Sequence, residues 1–200
     1  MSTLVGKKAP DFVASAVLSD GNIIDYKLSN EIKGKYGLLF FYPLDFTFVC
    51  PSELIALEHR ISEFKKRNVE VIGVSIDSQF VHAAWRNTIV ENGGIGNVSY
   101  ALVADVDHSI CKNYGVEHPI ESIAFRASFL IDKQGVVKAQ YVNDLPIGRN
   151  IDELLRVVDA LQYHEENGEV CPAGWNPGGV AMKATKDGVI NYLKDNASKL

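Results

Sequence analysis

The chain is predicted to fold as an α/β domain, and two observations carry that prediction. Near-continuous apolar runs at residues 37–42 and 69–76 have the length and composition of strands covered on both faces. After each run come segments whose apolar residues recur at three- and four-residue intervals, the spacing of one helix face. At 200 residues the chain can bury a sizeable core, as one domain with an appendage at most.

Taken in order, residues 9 to about 28 read as a hairpin with Asp20-Gly21 at the turn. The strand at 38–42 leads to a helix expected from Cys50 to about Arg67, with Leu54, Leu57, Ile61 and Phe64 on one face. After the 69–76 strand, Ser78 caps a helix expected to turn Phe80, Val81, Ala84, Trp85 and Thr88 to one side. Asn92-Gly93-Gly94-Ile95-Gly96 is a loop; its glycines follow a helix, so it is not a phosphate-binding fingerprint. A strand at 100–104 and a short helix near 108–114 come next, then a second hairpin, 127–131 and 136–141, around Asp132-Lys133-Gln134-Gly135. Ile151, Leu154, Leu155, Val158 and Leu161 mark one more helix, opened by Asn150. This order is thioredoxin-like within the α/β class, with a central mixed sheet and an N-terminal hairpin. Residues 1–167 are assigned to that domain. Residues 168–200 form a C-terminal extension arm, rich in Gly and Pro around Cys171 and closed by a helix at about 186–197. The arm has too few apolar residues for a core of its own and is expected to dock.

Twenty Lys and Arg against 25 Asp and Glu, with no basic run, argue against nucleic acid. The start, Met1 to Lys8, lacks an apolar stretch before a cleavage site, and the longest apolar run is far too short to span a bilayer. Three cysteines do not make a secreted disulfide framework. A soluble cytoplasmic protein with redox or catalytic cysteines is expected. There is no Cys-x-x-Cys, and His82, His108, His118 and His164 show no ligand spacing, so no metal is expected.

Cys50 falls where a strand hands over to a helix. With Pro51 at the first helical position and Glu53 in the first turn, Cys50 takes the cap position, where the helix dipole favours a thiolate. Free cysteines are also common as inert packing, and Cys-Pro at a helix start is compatible with either. Pro43, Thr47 and Cys50 add a Pro-x-x-x-Thr-x-x-Cys pattern that brings a hydroxyl and a turn to the sulfur. This stretch resembles the active-site loop of the peroxiredoxins. Asp45-Phe46-Thr47-Phe48-Val49-Cys50-Pro51 resembles the typical 2-Cys group, including the bacterial alkyl hydroperoxide reductase C type.

The resemblance implies a thiol-dependent peroxidase without metal, haem or flavin. Complete ionisation of an ordinary thiol gains roughly 30-fold at most near neutral pH, so a large rate must come from stabilising the oxygen that leaves. Arg126 is the implied cation and Thr47 the implied hydroxyl; on composition alone they would be a surface arginine and a loop hydrogen bond. Glu53 and Arg149 match supporting positions that organise charge around the cysteine, against a bland reading as surface ion pairs. Cys171, in Val170-Cys171-Pro172, resembles the resolving cysteine that attacks from a neighbouring subunit, while Cys111 matches no catalytic position and reads as an ordinary half-buried thiol. The family further implies hydroperoxide substrates and a dithiol reductant protein, thioredoxin or a dedicated flavoprotein. It also implies a homodimer, often assembled as a decamer of five dimers, with holdase chaperone activity as the alternative function. Relatives prone to over-oxidation carry Gly-Gly-Leu-Gly and a terminal Tyr-Phe pair; Gly93-Gly94-Ile95-Gly96 and Tyr192-Leu193 stand here, so intermediate sensitivity is expected.

Overall fold

A computed structural model describes residues 3–200; Met1 and Ser2, the head of the Met1–Lys8 start, lie outside the described residues. The described residues fall into two compact units, one ending at Ile151 and the other Asp152–Leu200.

The first unit is built on a seven-stranded mixed sheet. Its elements are β1 (Val13–Val17), β2 (Ile23–Lys27), α1 (Leu28–Glu31), β3 (Tyr36–Phe41), α2 (Cys50–Glu58), α3 (Ile61–Lys66), β4 (Val69–Ser75), α4 (Gln79–Asn87), β5 (Ala101–Ala104), α5 (Ser109–Asn113), β6 (Arg126–Ile131) and β7 (Val137–Asn143). The strand order is β2-β1-β5-β4-β3-β6-β7. β3, β4 and β5 run parallel, and β1, β6 and β7 join antiparallel to their neighbours. Every residue of β3 is buried, as a central strand covered on both faces requires. Leu39, Phe41, Ile72, Val74, Val103 and Phe129 share one core cluster, in which Phe41 meets Phe129 edge-on at 5.8 Å. The hairpin turn is where the sequence puts it: Gly21 has φ +85°, which glycine adopts without strain, and its N–H reaches the Leu18 carbonyl.

Two local expectations are corrected and one short helix is added. The helix after Cys50 is broken rather than continuous to Arg67. Arg60 directs its backbone N–H to Leu57, while its guanidinium takes the Ala56 carbonyl that N–H would otherwise reach, so the ladder tightens and α3 starts anew. The buried side of α4 is His82, Trp85 and Arg86, whereas Phe80 is 69% exposed. Counting apolar residues misses this because both buried polar side chains are satisfied: Arg86 donates to the Tyr100 and Ser19 carbonyls and to Asn97, and His82 pairs with Asp45. The one-turn helix α1 has no signal in the apolar pattern; its first turn is fixed from outside, by the Asp11 carboxylate accepting from Ser29.

In the second unit, α6 (Ile151–Asn167) is followed by an irregular stretch and then α7 (Lys186–Asn196). Arg156 donates to the Trp175 carbonyl, the Trp175 ring lies 4.9 Å from Tyr163, and Val170 pairs with Met182, so the Gly/Pro-rich stretch is folded back on α6. Thr185 caps α7 by accepting from the Gly188 N–H.

Candidate active site

β3 delivers the chain to Tyr42, and residues 43–49 reverse it into α2. The helix begins one residue earlier than the sequence suggests. Val49 has helical dihedrals and its carbonyl accepts from the Glu53 N–H, which makes Val49 the cap and Cys50 the first helical residue. Pro51 still fits, since a first-turn N–H would have no partner within the helix. Cys50 therefore keeps its place at the positive end of α2, fully buried.

Arg126 comes from the neighbouring antiparallel strand. Phe40 pairs with Ser128, and continuing that register sets Arg126, the first residue of β6, beside Tyr42. Its Nη1 lies 3.3 Å from Cys50 Sγ and 2.9 Å from Glu53 Oε2, and its Nε donates to the Leu145 carbonyl. Glu53, one turn along α2 from Cys50, also accepts from the backbone N–H, Nε and Nη2 of Arg149 at 2.8–3.0 Å. The remaining Arg149 Nη1 reaches the Ala127 carbonyl and Ser128, and the guanidinium lies 3.3 Å over the Phe40 ring. A Cβ at Gly148 would stand 3.3 Å from the Val49 side chain, a tight contact to which that side chain would have to yield.

All three charged side chains are at most 5% exposed. Burial opposes the Glu53 charge, but the hydrogen bonds and charge of Arg149, then the charge of Arg126, outweigh it and hold the carboxyl below its ordinary range. Two guanidinium groups against one carboxylate leave one positive charge uncompensated next to the sulfur.

Thr47 Oγ1 lies 3.0 Å from Cys50 Sγ and 2.7 Å from the Leu44 carbonyl. One hydroxyl proton cannot serve both, so Thr47 donates to the carbonyl beside a thiol and turns to a thiolate. Pro43, Leu44, Phe48, Val49 and Ile123 help wall an open hollow of about 490 Å³ in which Thr47 and Arg126 supply the polar groups.

Sequence reasoning missed what holds the 43–49 segment. The buried Asp45 carboxylate accepts from the Tyr42 hydroxyl at 2.8 Å and lies 2.8 Å from His82 Nδ1, while the Asp45 N–H donates to Asp77. Burial pushes the Asp45 carboxyl up, against the opposing effect of His82. Phe46 follows in a left-handed conformation, φ +54°, with its ring 5.8 Å from Trp85. Asp45 lies in the motif itself, but His82 comes from α4, and no sequence spacing links them.

Pro43, Thr47, Cys50, Glu53, Arg126 and Arg149 thus converge at one place. Cys171 lies in the second unit, a half-buried free thiol 3.6 Å from the Ala160 carbonyl. Cys111 is also free and is buried rather than half-buried.

Such a fold and site define a thiol-based redox protein of thioredoxin-like architecture. Residues 5–140 match the AhpC/TSA family and residues 160–196 the C-terminal domain of 1-Cys peroxiredoxin. The chain belongs to the AhpC/TSA family and is a peroxiredoxin, an oxidoreductase of the thiol-dependent peroxidase class. It is 53% identical over 193 residues to alkyl hydroperoxide reductase C of Buchnera aphidicola subsp. Schizaphis graminum, covering 96% of this chain and 98% of the relative. The Helicobacter pylori alkyl hydroperoxide reductase C is 54% identical over 198 residues, 98% and 100% of the two chains. The reduced 2-Cys peroxiredoxin of Plasmodium vivax superposes with a TM-score of 0.94 at 49% identity, covering 96% of this chain and all of that one. Among the described residues, no helix is long and apolar enough to cross a membrane.

Proposed function

We propose that Cys50 reduces hydrogen peroxide and small organic hydroperoxides, and that Cys171 resolves the product. The observation that carries this reading is Cys50 Sγ within 3.0 Å of a hydroxyl and 3.3 Å of a buried guanidinium. The thiolate attacks one peroxide oxygen; an S–O bond forms, the O–O bond breaks, and the departing oxygen leaves with the electron pair as hydroxide or alkoxide. Arg126 stabilises that charge, Thr47 donates to the reacting oxygen, and a proton completes water or alcohol. Glu53 and Arg149 position Arg126, and Pro43 shapes the wall of the hollow. The apolar wall supports acceptance of an alkyl chain next to the peroxide group.

The Cys171 thiol then gives up its proton and attacks the sulfenic sulfur across a homodimer; an S–S bond forms, the S–O bond breaks, and the oxygen takes up a proton and departs as water. In this reading residues 168–200 are an arm that carries the resolving thiol to a neighbouring subunit. A dithiol protein, thioredoxin or a dedicated flavoprotein reductase, returns two electrons. Five dimers assembling as a decamer, and work in the cytoplasm, complete the reading. The test is peroxide treatment followed by non-reducing electrophoresis. A disulfide-linked dimer should form, persist in Cys111→Ser, and vanish in Cys50→Ser or Cys171→Ser. A monomer-sized band with an internal Cys50–Cys171 link would contradict the intersubunit step.

A further inference from the structure

The peroxide chemistry leaves one cysteine unused, and its surroundings are not those of an idle thiol. One donor atom each from His108, Cys111 and Glu117 lie within 4.8 Å of one another. His108 and Cys111 stand three residues apart where α5 begins, and Glu117 arrives from the short pairing between Glu117 and Ala124. We propose that these three side chains form a binding site for a zinc-class divalent cation, distinct from the Cys50 site and independent of its chemistry.

The donor set of one sulfur, one imidazole nitrogen and one carboxylate oxygen is the mixture a borderline-soft cation takes. Tetrahedral zinc with ordinary bond lengths separates its ligand atoms by roughly 3.3–3.8 Å. His108 Nδ1 and Glu117 Oε1, now 2.8 Å apart, would open by about half an ångström, and the wider separations would close by about 1 Å. The backbone that carries the sulfur is already held in place, because the Ile110 and Cys111 N–H groups both donate to Asp105. The thiol interacts with the His108 carbonyl at 3.3 Å and with the Asp105 carboxylate, and a metal bond to sulfur has to replace both.

Three protein ligands leave a fourth position for water, on the side where Glu117 borders an open hollow with Lys112, Pro119 and Phe125. Burial, then the charge of Asp105, pushes the Cys111 thiol up, a cost that metal binding has to offset because the ligand is the thiolate. On binding, the Sγ–H proton passes to solvent as the metal–sulfur bond forms, and no oxidation state changes. The Lys112 ammonium, 3.7 Å from Glu117 Oε1, competes for the same carboxylate.

The test is a zinc titration of the reduced, chelator-treated full-length protein against a chromophoric competitor. Cobalt(II) is the second probe, for its thiolate-to-metal charge-transfer absorption. One equivalent should bind, and affinity should fall more than about tenfold in Cys111→Ser and in Glu117→Gln. His108→Gln, at a half-exposed position where folding is least at stake, should do the same, and Lys112→Met should bind more tightly. Uptake should persist in the Cys50→Ser, Cys171→Ser double variant, and peroxide turnover should be unchanged in Cys111→Ser. Absence of stoichiometric uptake would overturn the proposal. So would uptake that survives Cys111→Ser and is lost with Cys50 and Cys171.

Discussion

Cys50 and Cys111 make an instructive pair. Both are buried free thiols, and both sit in the first turn of a helix that follows a strand of the same parallel set. Around Cys50 the nearest charged group is a guanidinium at 3.3 Å, with a second guanidinium behind a shared carboxylate. Around Cys111 the nearby charged groups include the Asp105 and Glu117 carboxylates, and burial and the Asp105 charge push its thiol well above the ordinary range. Burial alone therefore does not decide what a cysteine does. The charge set beside it differs: a guanidinium faces Cys50, whereas at Cys111 the Asp105 carboxylate pushes the thiol up in the same direction as burial.

The largest effect that can sharpen the comparison is removal of each sulfur. Cys50→Ser should lose roughly four orders of magnitude or more of peroxide turnover, as removal of a nucleophile does. Cys111→Ser should keep the parent rate, measured with the same reductant. Next comes the charge. Arg126→Met should slow single-turnover oxidation of Cys50 by about 100- to 1000-fold, the scale for losing one donor to a developing oxyanion. A loss of less than about tenfold would show that Arg126 is only a packing residue, and the contrast with Cys111 would weaken.

Glu53→Gln tests the frame rather than the chemistry. It strips two buried guanidinium groups of their shared carboxylate, a change that costs about 3–5 kcal/mol in stability. The pH dependence has a definite sign. The folded carboxyl titrates below its unfolded value, so its stabilisation is complete above about pH 4.3 and is lost as the pH falls through the lowered value. Denaturant melts between about pH 3 and 6 should show that slope in the parent and a shallower one in the variant.

The smallest expected effect lies in the tail. Leu193 is 43% exposed on α7, and Leu193→Phe should raise the sulfinic fraction of Cys50 by less than about threefold, as one extra aromatic contact is worth under about 1 kcal/mol. If deleting α7 changes inactivation and this substitution does not, the helix matters and the side chain does not.

Most of the architecture was legible because strands buried on both faces write themselves as apolar runs, as 37–42 and 69–76 do. The helix α4 was found with Trp85 correctly inward, but the rest of its inner face was missed, since it carries His82 and Arg86, and periodicity scores such residues as outward. At the site, Cys50, Thr47 and Pro43 were legible as one contiguous motif. Arg126 and Arg149 were placed through resemblance, not spacing: the register between β3 and β6 brings Arg126 across, and the carboxylate of Glu53 holds both. The Asp45–His82 pair was illegible for the same reason, because two residues 37 apart in sequence meet only once the sheet is formed. Glu117 likewise joins His108 and Cys111 only through the fold; a search for Cys-x-x-Cys passes over His-x-x-Cys.

The central claim, that the charged groups set beside two equally buried thiols separate their fates, can be read in one experiment. In Cys171→Ser protein, brief peroxide exposure with a sulfenic-acid trap, followed by peptide mass spectrometry, reports Cys50 and Cys111 within the same molecule. The account predicts near-complete trapping at Cys50 while Cys111 stays unmodified, with the Cys50 signal collapsing in Arg126→Met. Trapping at Cys111 at a rate comparable to Cys50 would contradict it.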